Sequence, residues 1–249
     1  MDFYLSTPHP CSYFTEREAR TVFCEPETLS QKEYALLLSA NFRRSGRIVY
    51  RPECAQCQRC RQIRVPVDRF LPGASQRRSV RKNQDLVVEL TSDLRHPQAV
   101  DLYRRFVHER HHSPLPPVEE VHEFLGTSNT DSLVMLYWLH TRLVGAGWLD
   151  QVDNGLSSVY FAFDPAEAKR SLGVFSVLQE IATAKNLGLS WYYLGYWVNQ
   201  ASTMDYKADY RPNEILVDGT WLPDEQAFLQ CLQRDAAFDA GLSPLHSDP

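Results

Sequence analysis

Three β-prone runs follow one another with almost nothing between them: SLVMLYWLH at 132–140, LVGAGWLDQV at 143–152 and LSSVYFAFDP at 156–165. The links HTR and DNG are too short for a crossover, so the runs are expected to pair as an antiparallel meander. A sheet this apolar needs covering. GVFSVLQEIATAKNLG at 173–188 is predicted to supply a helix, with Val174, Val177, Leu178, Ile181, Ala182 and Leu187 broadly on one face and Gly188 at the C-terminal cap. SWYYLGYWV at 190–198 then reads as a buried central strand, β-prone and uncharged.

Upstream, PQAVDLYRRFVHERHH at 97–112 and VEEVHEFLG at 118–126 are predicted helices separated by the breaker SPLPP. SQKEYALLLSANF at 30–42 is another, with Ser30 and Glu33 in capping-box spacing; TEREARTVF at 15–23, with Thr15 and Glu18, is expected to do the same. RIVYRP and CRQIRVPV are expected strands, SQRRSVRKNQDL a basic helix or turn, and the last ten residues a loose tail. These elements predict an α+β chain: a small cysteine-containing N-terminal domain over 1–80, then a domain over 81–249 built on a mixed, mainly antiparallel sheet.

Charge is uneven. The 249-residue chain carries a formal net charge of −5. Between Arg43 and Lys82, however, twelve Lys/Arg face only Glu53 and Asp68. Such a block predicts a polyanionic partner, or else a solvated loop around the cysteines. The N-terminus MDFYLSTPHP lacks the basic start and apolar run of a secretory signal, and no stretch approaches the ~18 apolar residues of a membrane span. The expectation is a soluble cytoplasmic protein without a membrane partner, in which the six cysteines are reduced.

Three of those cysteines stand in RPECAQCQRCRQIRVP at 51–66. Cys54, Cys57 and Cys60 have the two-residue spacers that turn successive thiolates toward one point. No Cys or His follows closely, so a fourth ligand is remote, and Cys11 in its irregular segment is preferred to Cys24, Cys231 or a histidine. The spacing suits zinc or an iron–sulfur cluster equally, and metal-free thiols packing a small domain are the alternative. His108, His111 and His112 share a helix face but lack a matching carboxylate pattern.

The order of meander, helix opening on a glycine loop and further buried strand resembles the GNAT-like acyltransferases. In KRSLGVF at 169–175, Arg170 and Gly173 fit the loop by which that group cradles the pyrophosphate of coenzyme A at a helix N-terminus. Phe175 does not, because a benzyl group stands where the phosphate needs a tiny residue. The expectation is an acyl donor other than coenzyme A.

PCSYFTEREA, NFRRSGRIVYRPECAQCQRCRQIRVPV, SQRRSVRKN, RSLGVFSVLQEIATA, YYLGYWV and MDYKADYRPNEIL occur in this order over residues 10–216. Together they resemble the arginyl/leucyl-tRNA–protein transferase family, in its bacterial branch. The resemblance implies transfer of leucine from leucyl-tRNA to the α-amino group of proteins that begin with Asp or Glu, marking them as N-degrons for proteolysis. Arginine is the alternative donor, and a metal- or redox-sensing RNA-binding module is the alternative from a different class. Two departures stand out. Eukaryotic relatives carry Cys-Gly-Tyr-Cys where this chain has Cys11-Ser12-Tyr13-Phe14, leaving Cys11 plus the triplet as the four-sulfur set. Ala201 and Thr203 stand where bacterial relatives commonly carry Cys and Lys.

Aminolysis of an activated ester requires no cofactor for its chemistry. It asks for a neutral amine, a held oxyanion and a route for the proton. On the implied reaction, Tyr196, Asn199, Tyr206 and Lys207 are candidates around the ester, with Lys207 on the oxyanion or terminal phosphate and Tyr206 stacking on the terminal adenine. Asp164 and Glu214 are candidates to hold or deprotonate the amine. Arg77 and Arg78, helped by Ser75 and Gln76, are candidates for the acceptor's carboxylate. Arg43 and Arg44 are second choices, on tRNA phosphates or bracing the cysteine loop.

Overall fold

The computed structural model describes residues 1–55 and 57–240. Along the chain come β1 (Tyr4–Leu5), β2 (His9–Pro10), β3 (Glu18–Ala19), β4 (Thr21–Cys24), α1 (Gln31–Ser39), β5 (Arg43–Ser45), β6 (Ile48–Pro52), β7 (Cys60–Pro66) and α2 (Ala74–Lys82). They continue with β8 (Leu86–Thr91), α3 (Pro97–His111), α4 (Val118–Phe124), β9 (Ser132–Leu139), β10 (Arg142–Val152) and β11 (Gly155–Phe163). Last are α5 (Leu172–Asn186), β12 (Trp191–Val198), β13 (Glu214–Val217), β14 (Thr220–Pro223) and α6 (Asp224–Asp239).

The large sheet has eight strands in the order β14-β13-β7-β12-β11-β10-β9-β8, antiparallel except where β11 meets β12. The meander forms as its short turns require. Alternation along β9 sends Leu133, Met135 and Tyr137 to one face, where α5 packs, and Val134 and Leu136 to the other, under α3 and α4. Both faces are therefore buried, which explains why the strands are apolar nearly throughout. A second, four-stranded sheet, β1-β4-β6-β5, packs with α1 against Val152 and Tyr193 of the large one.

Local chemistry sets the helix ends. Ser30 and Glu33 close the predicted capping box on α1. Gly188, in the left-handed region at φ 72°, follows α5 as its C-cap glycine.

Two expectations need correcting. Residues 15–23 are not a helix: a turn leads into β3 and β4, because Thr21-Val22-Phe23-Cys24 is β-branched and aromatic and pairs with both β1 and β6. Cys24 accordingly ends a strand. On α5, Ala182 and Leu187 are exposed, whereas Glu180 is buried. In the large sheet β7 lies between β12 and β13, and α2 packs on α5. The predicted tail, apart from Ala240, lies outside the described residues.

The basic block changes meaning once folded. Arg44, Arg47, Arg51, Arg59, Arg61, Arg64 and Arg69 all lie within ion-pairing distance of carboxylates, most of them from distant parts of the chain. Among the described residues, Arg43, Arg77, Arg78, Arg81 and Lys82 have no such partner. Uncompensated charge is thus concentrated on α2 and on one arginine of β5.

Candidate active site

The parallel pairing of β11 with β12 covers only Gly155–Ser157 against Trp191–Tyr193. Beyond it the two strands are unpaired with each other, leaving a wedge with backbone carbonyls on both lips. Two cationic side chains take those carbonyls. Arg43, reaching in from β5, donates its Nη2–H to the Ser158 carbonyl on β11. Lys207, on the 3-10 turn Asp205–Asp209 that follows β12, donates from Nζ to the Tyr196 carbonyl at 2.9 Å.

Gly195 makes room for this arrangement. Its φ is +85° and β12 has a register irregularity there; a Cβ at this position would lie 1.2 Å from Arg43 Nη1. A glycine within an aromatic strand marks such a close approach. The Arg43 guanidinium also stands 5.7 Å from the centroid of the Tyr196 ring. Among the described residues neither Arg43 nor Lys207 has a carboxylate within ion-pairing distance.

Lys207 is only 8 % exposed, and burial, reinforced by the Arg43 charge, holds its amine well below the usual lysine range. Deeper in the core, Glu180 of α5 is 1 % exposed and accepts a hydrogen bond from the Tyr192 hydroxyl. Burial pushes its carboxyl up to about 8 despite that bond. Asn199, just past the end of β12, is buried with no partner for its Nδ2 among the described residues. An orphaned donor of this kind calls for an acceptor that a substrate could bring.

Behind β12 lies a cavity of about 640 Å³ whose walls include Cys11, Cys54, Cys57, Cys60, Tyr50 and Tyr196. Tyr196 joins the two places: its ring lines the cavity, its hydroxyl donates to the Asn41 carbonyl at 2.8 Å, and its own carbonyl forms the lip held by Lys207. Burial and the neighbouring thiols raise the Cys60 thiol far above its usual value, and burial raises Cys54 too. The donor chemistry suits zinc or an iron–sulfur cluster. In this arrangement, however, no three His, Cys, Asp or Glu among the described residues are placed to hold a metal ion. No step of the chemistry is routed through one.

Models of the arginine-tRNA-protein transferase N terminus and C terminus match residues 9–78 and 98–217. The chain belongs to the arginine-tRNA-protein transferase family. An aspartate/glutamate leucyltransferase of Acinetobacter baumannii is 41% identical over 226 residues, 89% of this chain and 83% of the relative. One of Saccharophagus degradans is 40% identical over 227 residues, 89% and 96% of the two chains. The solved structure of FemX aligns over 80% of each chain with a TM-score of 0.47 and 11% identity, a likeness too loose to build on.

Within this transferase the candidate residues separate into groups. Tyr196, Lys207 and Arg43 meet at the wedge, Asn199 follows the same strand, and Tyr206, half exposed, stands beside Lys207 in the chain. Ser75, Gln76, Arg77 and Arg78 lie on α2. Gln76 caps that helix by accepting from the Gly73 N–H, and its Nε2 reaches the Asp209 carbonyl at 3.4 Å, tying α2 to the turn that carries Lys207. Arg77 and Arg78 are exposed there.

Three candidates have structural work elsewhere. Arg44 is buried in a two-pronged ion pair with Asp150. Asp164 caps the turn Pro165–Arg170 and binds Arg142, and Glu214 is held by Arg64. Both carboxylates are thus occupied by guanidinium groups. Arg170 is likewise engaged, with Asp85 and Glu167, and Phe175 is core, packed on Tyr137. Glu180 and Gly195 were missed. The signals were present: one acid amid the apolar face of α5, and one glycine inside YYLGYWV.

Proposed function

We propose that this transferase moves leucine from leucyl-tRNA to the α-amino group of proteins that begin with Asp or Glu, producing N-degrons for proteolysis. The observation that carries this reading is the near-full-length identity to aspartate/glutamate leucyltransferases. The meander, α5 and the parallel strand β12 that diverges from β11 support a GNAT-like transfer domain, with the wedge as the reaction site. The unit proposed for it is 81–249 completed by β7; the rest of 1–80 is proposed as the acceptor- and thiol-bearing part.

Arg43 brings a guanidinium to the Ser158 carbonyl at the wedge, so it is the group to hold the oxyanion that develops on the ester carbonyl. The exposed, uncompensated Arg77 and Arg78 are the fork for the acceptor's carboxylate, and Arg81 and Lys82 extend a cationic face for tRNA phosphates. The four thiols are proposed as ligands of zinc or an iron–sulfur cluster. Metal analysis of the purified protein beside a Cys54→Ser/Cys57→Ser variant checks that assignment. No helix among the described residues is long and apolar enough to cross a membrane; a cytoplasmic location is proposed from the aminoacyl-tRNA donor that this reading requires.

The deciding assay is transfer of labelled leucine, and separately arginine, from charged tRNA to peptides starting with Asp, Glu, Lys or Ala. Leucine on Asp and Glu alone is expected. Arginine transfer would overturn the choice of donor, and transfer from neither tRNA would overturn the reaction.

A further inference from the structure

We propose that Lys207 is the proton acceptor of the transfer step, working as a neutral amine rather than as a cation on the oxyanion. This rests on the aminoacyl-transfer reading above. A buried ammonium needs a carboxylate or several strong acceptors to offset its lost hydration. Among the described residues Lys207 has one neutral acceptor, the Tyr196 carbonyl, and no carboxylate. The charged group acting on it is Arg43 of β5, which repels a second positive charge. Asp205 on its own turn accepts the Trp197 indole N–H, and Glu180 of α5 is engaged with Tyr192. The surroundings favour the uncharged form, which keeps one lone pair free at the lip of the wedge.

The other candidates cannot take this part. Asp164 and Glu214 are tied to arginines. Glu180 is predominantly protonated at pH 7 because burial holds its carboxyl up at about 8. Arg43 has no lone pair to offer.

The step then balances. The acceptor's α-ammonium gives one proton to Lys207 Nζ, and the freed nitrogen pair forms the C–N bond to the ester carbonyl carbon. The carbonyl pair moves onto oxygen beside Arg43 and returns as the C–O bond to the terminal ribose breaks. A second nitrogen proton goes to the departing ribose oxygen, leaving an amide and a free hydroxyl, and Lys207 releases its proton to solvent.

The test is single-turnover leucine transfer by wild type, Lys207→Arg and Lys207→Met. Each is given an Asp-starting peptide and the same peptide with an aminooxy group in place of the α-amine. The aminooxy nucleophile is already neutral at pH 7 and needs no base. Both variants are expected to lose at least about 100-fold on the amine peptide, and to keep near wild-type transfer to the aminooxy peptide. The pH profile of wild type on the amine peptide is expected to contain a limb that Lys207→Arg lacks. Full retention of amine transfer by Lys207→Arg would mean a cation suffices and overturns the proposal. Equal loss on both acceptors by folded variants would mean a structural role and also overturns it. Wild type that transfers neither leucine nor arginine would remove the reaction, and the base falls with it. Lys207→Met, with no longer group to fit beside Arg43, keeps the test open if the arginine variant misfolds.

Discussion

Replacing Glu180 by Gln isolates the energetic consequence of an acid in the core. The Gln carbonyl keeps an acceptor for the Tyr192 hydroxyl but cannot ionise. In the wild type, burial raises the folded carboxyl to about 8 from an ordinary value of 4.5. The folded state therefore holds a proton that the unfolded chain has released. Stability from this group is fully present below pH 4.5 and is lost as pH rises through about 8. Between pH 5 and pH 8 those two values correspond to a loss of roughly 3.5 kcal/mol. Urea unfolding at several pH values, wild type beside Glu180→Gln, measures it, because the other titrating groups cancel in the difference. The variant is expected to gain on the wild type by roughly that amount on going from pH 5 to pH 8. Two parallel stability curves would refute the reasoning, since they would mean that Glu180 titrates alike in both states.

Other outcomes follow from the same structure. Gly195→Ala places a Cβ on the Arg43 guanidinium and is expected to cut leucine transfer at least tenfold by displacing Arg43, with about 1–3 kcal/mol of strain in urea unfolding. Asp150→Ala leaves Arg44 buried without its carboxylate and should cost about 3–5 kcal/mol, read as a lowered urea midpoint. Reversal of Arg77 and Arg78 to Glu should abolish transfer to Asp- and Glu-starting peptides while leaving the thermal midpoint within a few degrees. Transfer near the wild-type rate would remove both residues from acceptor recognition.

Much of the large sheet was legible because its signals are local. Short turns force the meander, alternation assigns its two faces, and Ser30 with Glu33 marks a helix start within four residues. The residues 15–23 misled because Thr15 and Glu18 imitate that signal, while strand partners at Tyr4 and Tyr50 lie far off in sequence. Charge counting misled for a related reason. A window knows only its own acids, and the partners of Arg44, Arg61 and Arg64 are Asp150, Asp235 and Glu214. At the site, Lys207 and Tyr196 were legible as polar and aromatic residues around a buried strand. Their relation was not, because it arises where β11 and β12 part company and where an arginine from residue 43 enters across Gly195.

The position of β7 bears on how the chain comes into being. Its neighbours are β12 and β13, formed by residues 191–198 and 214–217. As the ribosome releases the chain from its N-terminus, Cys60–Pro66 emerges well over a hundred residues before either neighbour exists. Both edges of the strand then wait unpaired, and the thiols of Cys54, Cys57 and Cys60 wait with them. Pairings this distant form slowly, and waiting edges are open to wrong partners. A nascent chain held by a chaperone until Val217 has cleared the tunnel should therefore yield more active enzyme than one released to fold alone. An N-terminal fragment ending at residue 80 should be found in the pellet.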